Sequence, residues 1–281
     1  MKRFLTSIFL ILSAAAVAFS QNGWKLVWSD EFDREGAPDA SKWGYERGFV
    51  RNHEQQWYTP ENARVVDGCL VLTARPADFP CPSYDPSKGN WRNRRERVEW
   101  TSASVITKDT YSFRYGRLEV RARIPVVKGA WPAIWLLGTE YPWPGNGEID
   151  VLEYYQAGGV PSVLANACWS GADEENPIWD DSCTPLSRLS GGDPGWGQRF
   201  HVWRMDWDER FIRIYLDESL LNEIDLSKTI NGKGGSPGVN PFHHKMYILL
   251  NLALDTRVKE YDLRDFPMKY EIDYVRVWER N

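Results

Sequence analysis

Gly147-Glu148-Ile149-Asp150-Val151-Leu152-Glu153-Tyr154 sets three acids within six positions of an otherwise apolar run. Carboxylates are rarely buried unless they are paired or put to use. The alternation of apolar residues marks the run as a β-strand, yet the acids break its parity. Side chains alternate faces along a strand, so Glu148 and Asp150 share a face while Glu153, five positions on, points away. A β-bulge at Val151-Leu152 absorbs one residue and returns Glu153 to the side of the other two. Four effective strand steps then separate the glutamate Cα atoms by ~13 Å.

Outward from this strand, short β-type runs recur. Among them are Lys25–Ser29, Cys69–Arg75, Ser102–Thr107, Gly116–Ile124, Ala133–Leu137, Val163–Trp169, His201–Trp207, Phe211–Leu216, Met246–Leu252 and Glu271–Trp278. Asp67-Gly68, Pro144-Gly145-Asn146-Gly147 and Gly191-Gly192-Asp193-Pro194-Gly195 supply turns between them. No stretch holds helical periodicity beyond two turns, which points to an all-β sandwich. In Gly116–Ile124 the apolar Leu118, Val120, Ala122 and Ile124 alternate with Arg117, Glu119, Arg121 and Arg123. That charged row suggests a polar groove, with a solvated outer face as the plain alternative.

At 281 residues and 42% hydrophobic, the chain can bury one large core. A net charge of −5 gives no reason to expect a nucleic-acid partner. The 15 Trp exceed what packing usually requires, and sugar rings lie flat on indoles, so a carbohydrate groove accounts for the surplus. Lys2 and Arg3, the apolar run Phe4–Val17 and Ala18-Phe19-Ser20 read as a secretory signal over residues 1–20, cut after Ser20. The run is too short to span a membrane, which takes ~20 apolar residues. The mature chain, residues 21–281, is therefore expected as one secreted or periplasmic domain with no membrane span. Cys69, Cys81, Cys168 and Cys183 allow three pairings. Local bridges Cys69–Cys81 and Cys168–Cys183 and free core thiols both stay open. No CxxC spacing suggests zinc.

Two carboxyls flanking an anomeric carbon cleave a glycosidic bond with retention when ~5–5.5 Å separates them. Long Glu148 and Glu153 side chains leaning inward can approach that separation. Crowded like charges raise at least one pKa, so one carboxyl stays protonated as the acid. Asp150, between the two, can hydrogen-bond the nucleophile. A divalent-cation site is the weaker alternative, because calcium loops draw ligands from turns rather than from an apolar strand.

Glu148-Ile149-Asp150-Val151-Leu152-Glu153 resembles the catalytic strand of glycoside hydrolase family 16 in its bulged variant. Other stretches resemble the family's landmarks in order: Trp28-Ser29-Asp30-Glu31-Phe32-Asp33, Gln56-Trp57-Tyr58-Thr59 and Val66 to Ala74. They continue through Tyr115 to Arg121, Trp131 to Gly138, Asn240-Pro241-Phe242 and Asp273 to Val277. The resemblance implies a β-jelly-roll sandwich with a concave substrate cleft and endo-acting, retaining hydrolysis of β-glycans. It casts Glu148 as nucleophile, Glu153 as general acid/base and Asp150 as the assisting acid. The bulged spacing is most similar to the laminarinase-like and mixed-linkage β-glucanase branch. β-1,3- or mixed β-1,3/1,4-glucan is then the expected partner, with the protein a monomer that needs no cofactor for catalysis.

Trp131 and Trp135, four apart, share a face and are expected to line the cleft and stack on glucosyl rings. Asn52 is a further candidate for substrate hydrogen bonds. Glu31, the Gly68 carbonyl and Asp273 could hold the structural calcium that family members often carry. In two places the chain departs from the family. Leu254-Asp255-Thr256-Arg257 replaces a glycine-rich turn and is expected to reshape one end of the cleft. Lys88 to Arg97 is unusually basic, either as a solvated loop or as a contact for an anionic polysaccharide. The second possibility keeps agarase-, porphyranase- or carrageenase-like activity as an alternative. A non-catalytic glucan-recognition protein is the other, though it would have no need to keep all three acids.

Overall fold

The computed structural model describes residues 20–21, 23–172, 176–233 and 236–281. The proposed signal segment, save Ser20 itself, lies outside the described residues. Two packed sheets hold about half of the described residues, and turns, loops and short helices connect their strands. The smaller has seven strands in the order Ile178–Pro185, Val160–Trp169, Glu148–Ala157, Ala130–Gly138, Met246–Leu254, Ser104–Ile106 and Gly44–Tyr45. The larger runs from Ser219–Asp225 through Phe211–Leu216, His201–Trp207, Gly116–Arg123, Met268–Arg280, Cys69–Pro80 and Arg97–Ser102 to Trp57–Tyr58. Only Trp57–Tyr58 pairs in parallel, with Arg97–Ser102. This is the all-β sandwich that the strand pattern implied and the jelly roll that the family resemblance implied.

Period-2 alternation builds the core. Leu118, Val120 and Ala122 from the larger sheet meet Ile134, Leu136, Ile149, Val151 and Leu250 from the smaller, all essentially inaccessible. Met246–Leu254 is buried at all nine positions, one face in this core and the other under the cleft. A continuous apolar strand of this kind belongs in the middle of a sheet covered on both sides. On the cleft side a second small cluster gathers Ala133, Trp135, Tyr247 and Leu249.

The charged row Arg117, Glu119, Arg121 and Arg123 does not form a groove. It lies on the outer face of the larger sheet, knitted by cross-strand pairs. Arg117 meets Asp206 at 2.6 Å, Arg121 meets Asp273 at 2.6 Å and Arg123 meets Glu271 at 2.6 Å. Mixed signs on a strand reflect its neighbours' charges as readily as a ligand's.

Neither local disulfide forms, and all four cysteines are free thiols. Cys69 begins the strand Cys69–Pro80 and Cys81 follows its end, which puts them roughly 35 Å apart. Cys168 opposes Trp179 while Cys183 opposes Leu164, an offset of about 13 Å along the hairpin. A disulfide requires Cα atoms within ~7 Å.

In the basic segment Lys88, Arg94 and Arg97 are exposed, Arg92 lines the cleft, and Arg92 and Arg95 bond to backbone carbonyls. Arg92 donates to the Val50 carbonyl (2.9 Å) and Arg95 to the carbonyls of Gln55 (3.1 Å) and His53 (2.8 Å). Arg95 also lies 4.4 Å over the Phe49 ring. These guanidiniums fasten residues 49–55 against the cleft wall.

Candidate active site

Neighbouring strands fix the bulge residue by residue. On one side Trp135 pairs with Asp150 but Ile134 pairs with Leu152, leaving Val151 without a partner. On the other, Asp150 opposes Asn166 and Glu153 opposes Leu164, so Val151 and Leu152 share the single residue between. Both point into the core and are fully buried. Two consecutive apolar side chains facing inward reset the alternation. Glu148, Asp150 and Glu153 therefore all open onto one cleft of about 840 Å³, within the usual ~300–1,000 Å³ of ligand sites. Gly147 sets the start of this strand. Its φ is +75°, and a Cβ there would stand 2.9 Å from Pro241 Cβ.

Each acid has a different environment. Glu153 accepts from the Trp131 indole at 2.8 Å and from Asn166 at 3.4 Å. Burial, countered by that indole and raised further by Glu148, lifts its pKa to about 7. Asp150 is 2% exposed. Burial and then the charges of Glu153 and Glu148 push it well above the carboxylate range, so it stays protonated and donates to Glu148. Glu148 is raised by burial as well, but the Trp143 indole at 2.6 Å, the Asp150 proton and Arg51 all favour its anion. Burial thus raises all three carboxyls, Glu153 to about 7, and at Glu148 the Trp143 indole, Asp150 and Arg51 oppose the rise.

The structure brings both sequence-predicted tryptophans to the cleft, with their N–H groups committed. Trp131 donates to Glu153 itself. Trp135 donates to Asn251 at 2.7 Å, and Arg51 lies 4.8 Å over its ring. Asn52 also lines the cleft, with φ +53° and a 3.3 Å bond to Glu54. Glu54 ties this segment to the floor, accepting from Gln56 at 2.6 Å and Tyr58 at 3.2 Å. Asn251 then donates to Tyr58 at 3.0 Å.

Both carboxylates of the expected calcium set are paired with arginines. Glu31 is held by Arg276 at 2.6 Å and Asp273 by Arg121 at 2.6 Å. Gly68 sits in a tight turn at φ +71°. No group of three or more His, Cys, Asp or Glu among the described residues could hold a metal.

Sequence reasoning missed Trp143, Arg51, Glu54, Asn166, Asn251 and Trp179, all of which line the cleft. A tryptophan between two prolines just before the acid strand was a usable signal for Trp143. Asn166 and Asn251 were also readable, as polar residues at cleft parity in apolar strands. Trp179 was not, because its strand Ile178–Pro185 is largely polar and ends in proline.

Residues 51–275 match the model of glycosyl hydrolases family 16. The β-glucanase of Rhodothermus marinus is 35% identical over 91% of this chain and 85% of its own length. The solved laminarinase of Rhodothermus marinus is 31% identical, covers 92% of this chain and 98% of its own, and superposes with a TM-score of 0.73. A structure from work on endo-acting O-glycanases of human gut microbiota, which initiate mucin breakdown, is 35% identical. It covers 94% of each chain at a TM-score of 0.79. With the bulged acid strand in its cleft and this match, the chain belongs to glycosyl hydrolases family 16. It is a glycoside hydrolase.

Proposed function

We propose that the protein is a retaining endo-β-glucanase acting on β-1,3- or mixed β-1,3/1,4-glucan. The observation that carries this is the convergence of Glu148, Asp150 and Glu153 on one cleft face, each with its own hydrogen-bond donor. Glu148, kept anionic, attacks the anomeric carbon while Glu153, still protonated near neutrality, gives its proton to the departing oxygen. The glycosyl–Glu148 ester is then opened by water, whose proton Glu153 takes back. Protonated Asp150 and the Trp143 indole hydrogen-bond the Glu148 carboxylate throughout, easing its release from the ester. Trp143 and Trp179, 50% and 41% exposed at the cleft, offer platforms for sugar rings. Similarity to the β-glucanase and the laminarinase supports the glucan assignment.

A second reading, an endo-acting O-glycanase for host glycans, is favoured by the similarity to the gut-microbial structure at the TM-score of 0.79. Reducing-end release from laminarin, mixed-linkage glucan and purified mucin O-glycans separates the two. Glucanase action gives release from the glucans alone. Release from mucin glycans alone would replace the first reading by the second. Glu148→Gln is expected to abolish release while retaining oligosaccharide binding, and turnover at the parent rate would sink the nucleophile assignment.

For localisation we infer export, supported by the charged start, apolar run and small residues before Gln21. N-terminal sequencing of protein recovered outside the cytoplasm should begin at Gln21, and an N-terminus still at Met1 would contradict export. No helix of the described residues is long and apolar enough to cross a membrane.

A further inference from the structure

Leu254-Asp255-Thr256-Arg257 follows the cleft-lining Ala253, and Asp255 within it is tightly placed. Asp255 is 1% exposed. Its N–H donates to the Gly129 carbonyl at 3.0 Å, and its own carbonyl accepts from the Tyr261 hydroxyl at 2.8 Å. Its carboxylate takes both the backbone N–H (2.9 Å) and Nε (2.7 Å) of Arg257. A buried acid with this many partners is a fixed anchor, and Arg257, its side chain 51% exposed, is held to it through Nε.

The Arg257 side chain runs toward Glu153. The Arg257 guanidinium lies 4.0 Å over the Tyr155 ring and 5.3 Å from the Trp131 ring. Those two rings meet edge to face at 5.3 Å. Trp131 is the residue whose indole donates to Glu153 Oε1 at 2.8 Å. An unbroken run of contacts therefore leads from buried Asp255 through Arg257 and the two rings to the carboxyl. Arg51 acts on Glu148 through its charge alone, with no such run of contacts between them among the described residues.

We propose that Arg257 is a positioning residue for Glu153, holding Trp131 in its donating pose and setting a cation at that end of the cleft. The inference rests on Glu153 being the general acid/base. Other ionisable groups facing Glu153 are Glu148, Asp150 and Tyr155 on its own strand and Glu54 on the wall segment. Cys168 and Cys183 come from the next two strands, with Asp181 beside them on the edge. Ala130–Gly138 contributes none. Of these Glu148 and Glu54 oppose a negative Glu153, whereas Arg257 favours it.

Arg257→Met and Arg257→Lys in the full chain test this through the pH dependence of kcat/KM on the hydrolysed glycan. Removing the cation raises the Glu153 pKa, so Arg257→Met should carry the basic limb to higher pH. Its kcat should fall about tenfold, the scale of one hydrogen bond to a charged group. Arg257→Lys keeps the charge and should hold the limb near the parent position. A brace with no link to Glu153 would alter thermal stability and leave the limb in place. An unmoved limb in folded Arg257→Met, or equal displacement in both variants, overturns the proposal. Should Arg257→Met fail to fold, the lysine variant decides alone: a limb displaced from the parent's overturns the proposal, and a retained limb supports it. Glu153→Ala assayed with azide and an activated aryl glycoside checks the underlying assignment separately. Restored turnover as glycosyl azide upholds Glu153 as acid/base. Its absence overturns that assignment, and the proposal with it, whatever the limb does.

Discussion

Acids stand on the outer faces of both sheets, and the two sets have opposite company. On the larger sheet Asp206, Asp273, Glu271 and Glu31 each face an arginine at 2.6 Å. On the smaller sheet Glu148, Asp150 and Glu153 face indoles, an amide and each other. A carboxylate beside a guanidinium stays ionised and gains a little stability. A buried carboxyl whose direct hydrogen-bond donors are neutral, with a guanidinium acting only through its charge, keeps its proton within reach of neutral pH and so can trade it with a substrate. The same residue type on the same kind of strand becomes brace or reagent according to its donors.

The contrast is broken most severely at the reagents. Glu153→Gln should lower kcat by about 10²- to 10⁴-fold, the span of general acid catalysis, and initial rates on the hydrolysed glycan measure it. An unchanged rate would remove Glu153 from the mechanism. The same substitution should also stabilise the fold at alkaline pH. Because the folded pKa of Glu153 is raised to about 7, its contribution to stability is full below the ordinary carboxylate value. That contribution is lost as pH climbs through about 7, at a cost on the order of 3 kcal/mol. Urea unfolding of Glu153→Gln against the parent should therefore show a gain at about pH 9 and none at about pH 4. An equal gain at both would show that burial, not ionisation, sets the cost.

Removing one neutral donor sharpens the comparison. Trp131→Phe keeps a ring beside Glu153 but no N–H, and kcat should drop by roughly 10- to 100-fold. On the braced face the smallest effect is expected. Asp206→Asn should cost about 1 kcal/mol or less in urea unfolding and leave kcat alone. A loss of activity there would mean that the two faces are coupled.

The sequence disclosed what period 2 can disclose. Parity made Glu153 an outlier, and the outlier required the extra residue that Val151 proves to be. The core alternation of Gly116–Ile124 was legible for the same reason. Its outward charges were not, because a strand's own sequence does not name its neighbours, and Asp206, Glu271 and Asp273 come from two other strands. The cysteines failed likewise: closeness in sequence gave no warning that a strand of 12 residues lies between Cys69 and Cys81. Trp131 was found as a platform, but its bond to Glu153 depends on register across the bulge. Of the Arg51–Glu54 wall only Asn52 was named from the sequence, because Arg51, Glu54 and the arginine fasteners follow no period.

Proton NMR of the first product released from the hydrolysed β-glycan tests the account at its centre. Attack by Glu148 and a second displacement by water place the new reducing end in the β configuration before mutarotation. Initial appearance of the β-anomer is the expected result. An α-anomer formed first would mean a single displacement, and would contradict the roles assigned to Glu148 and Glu153.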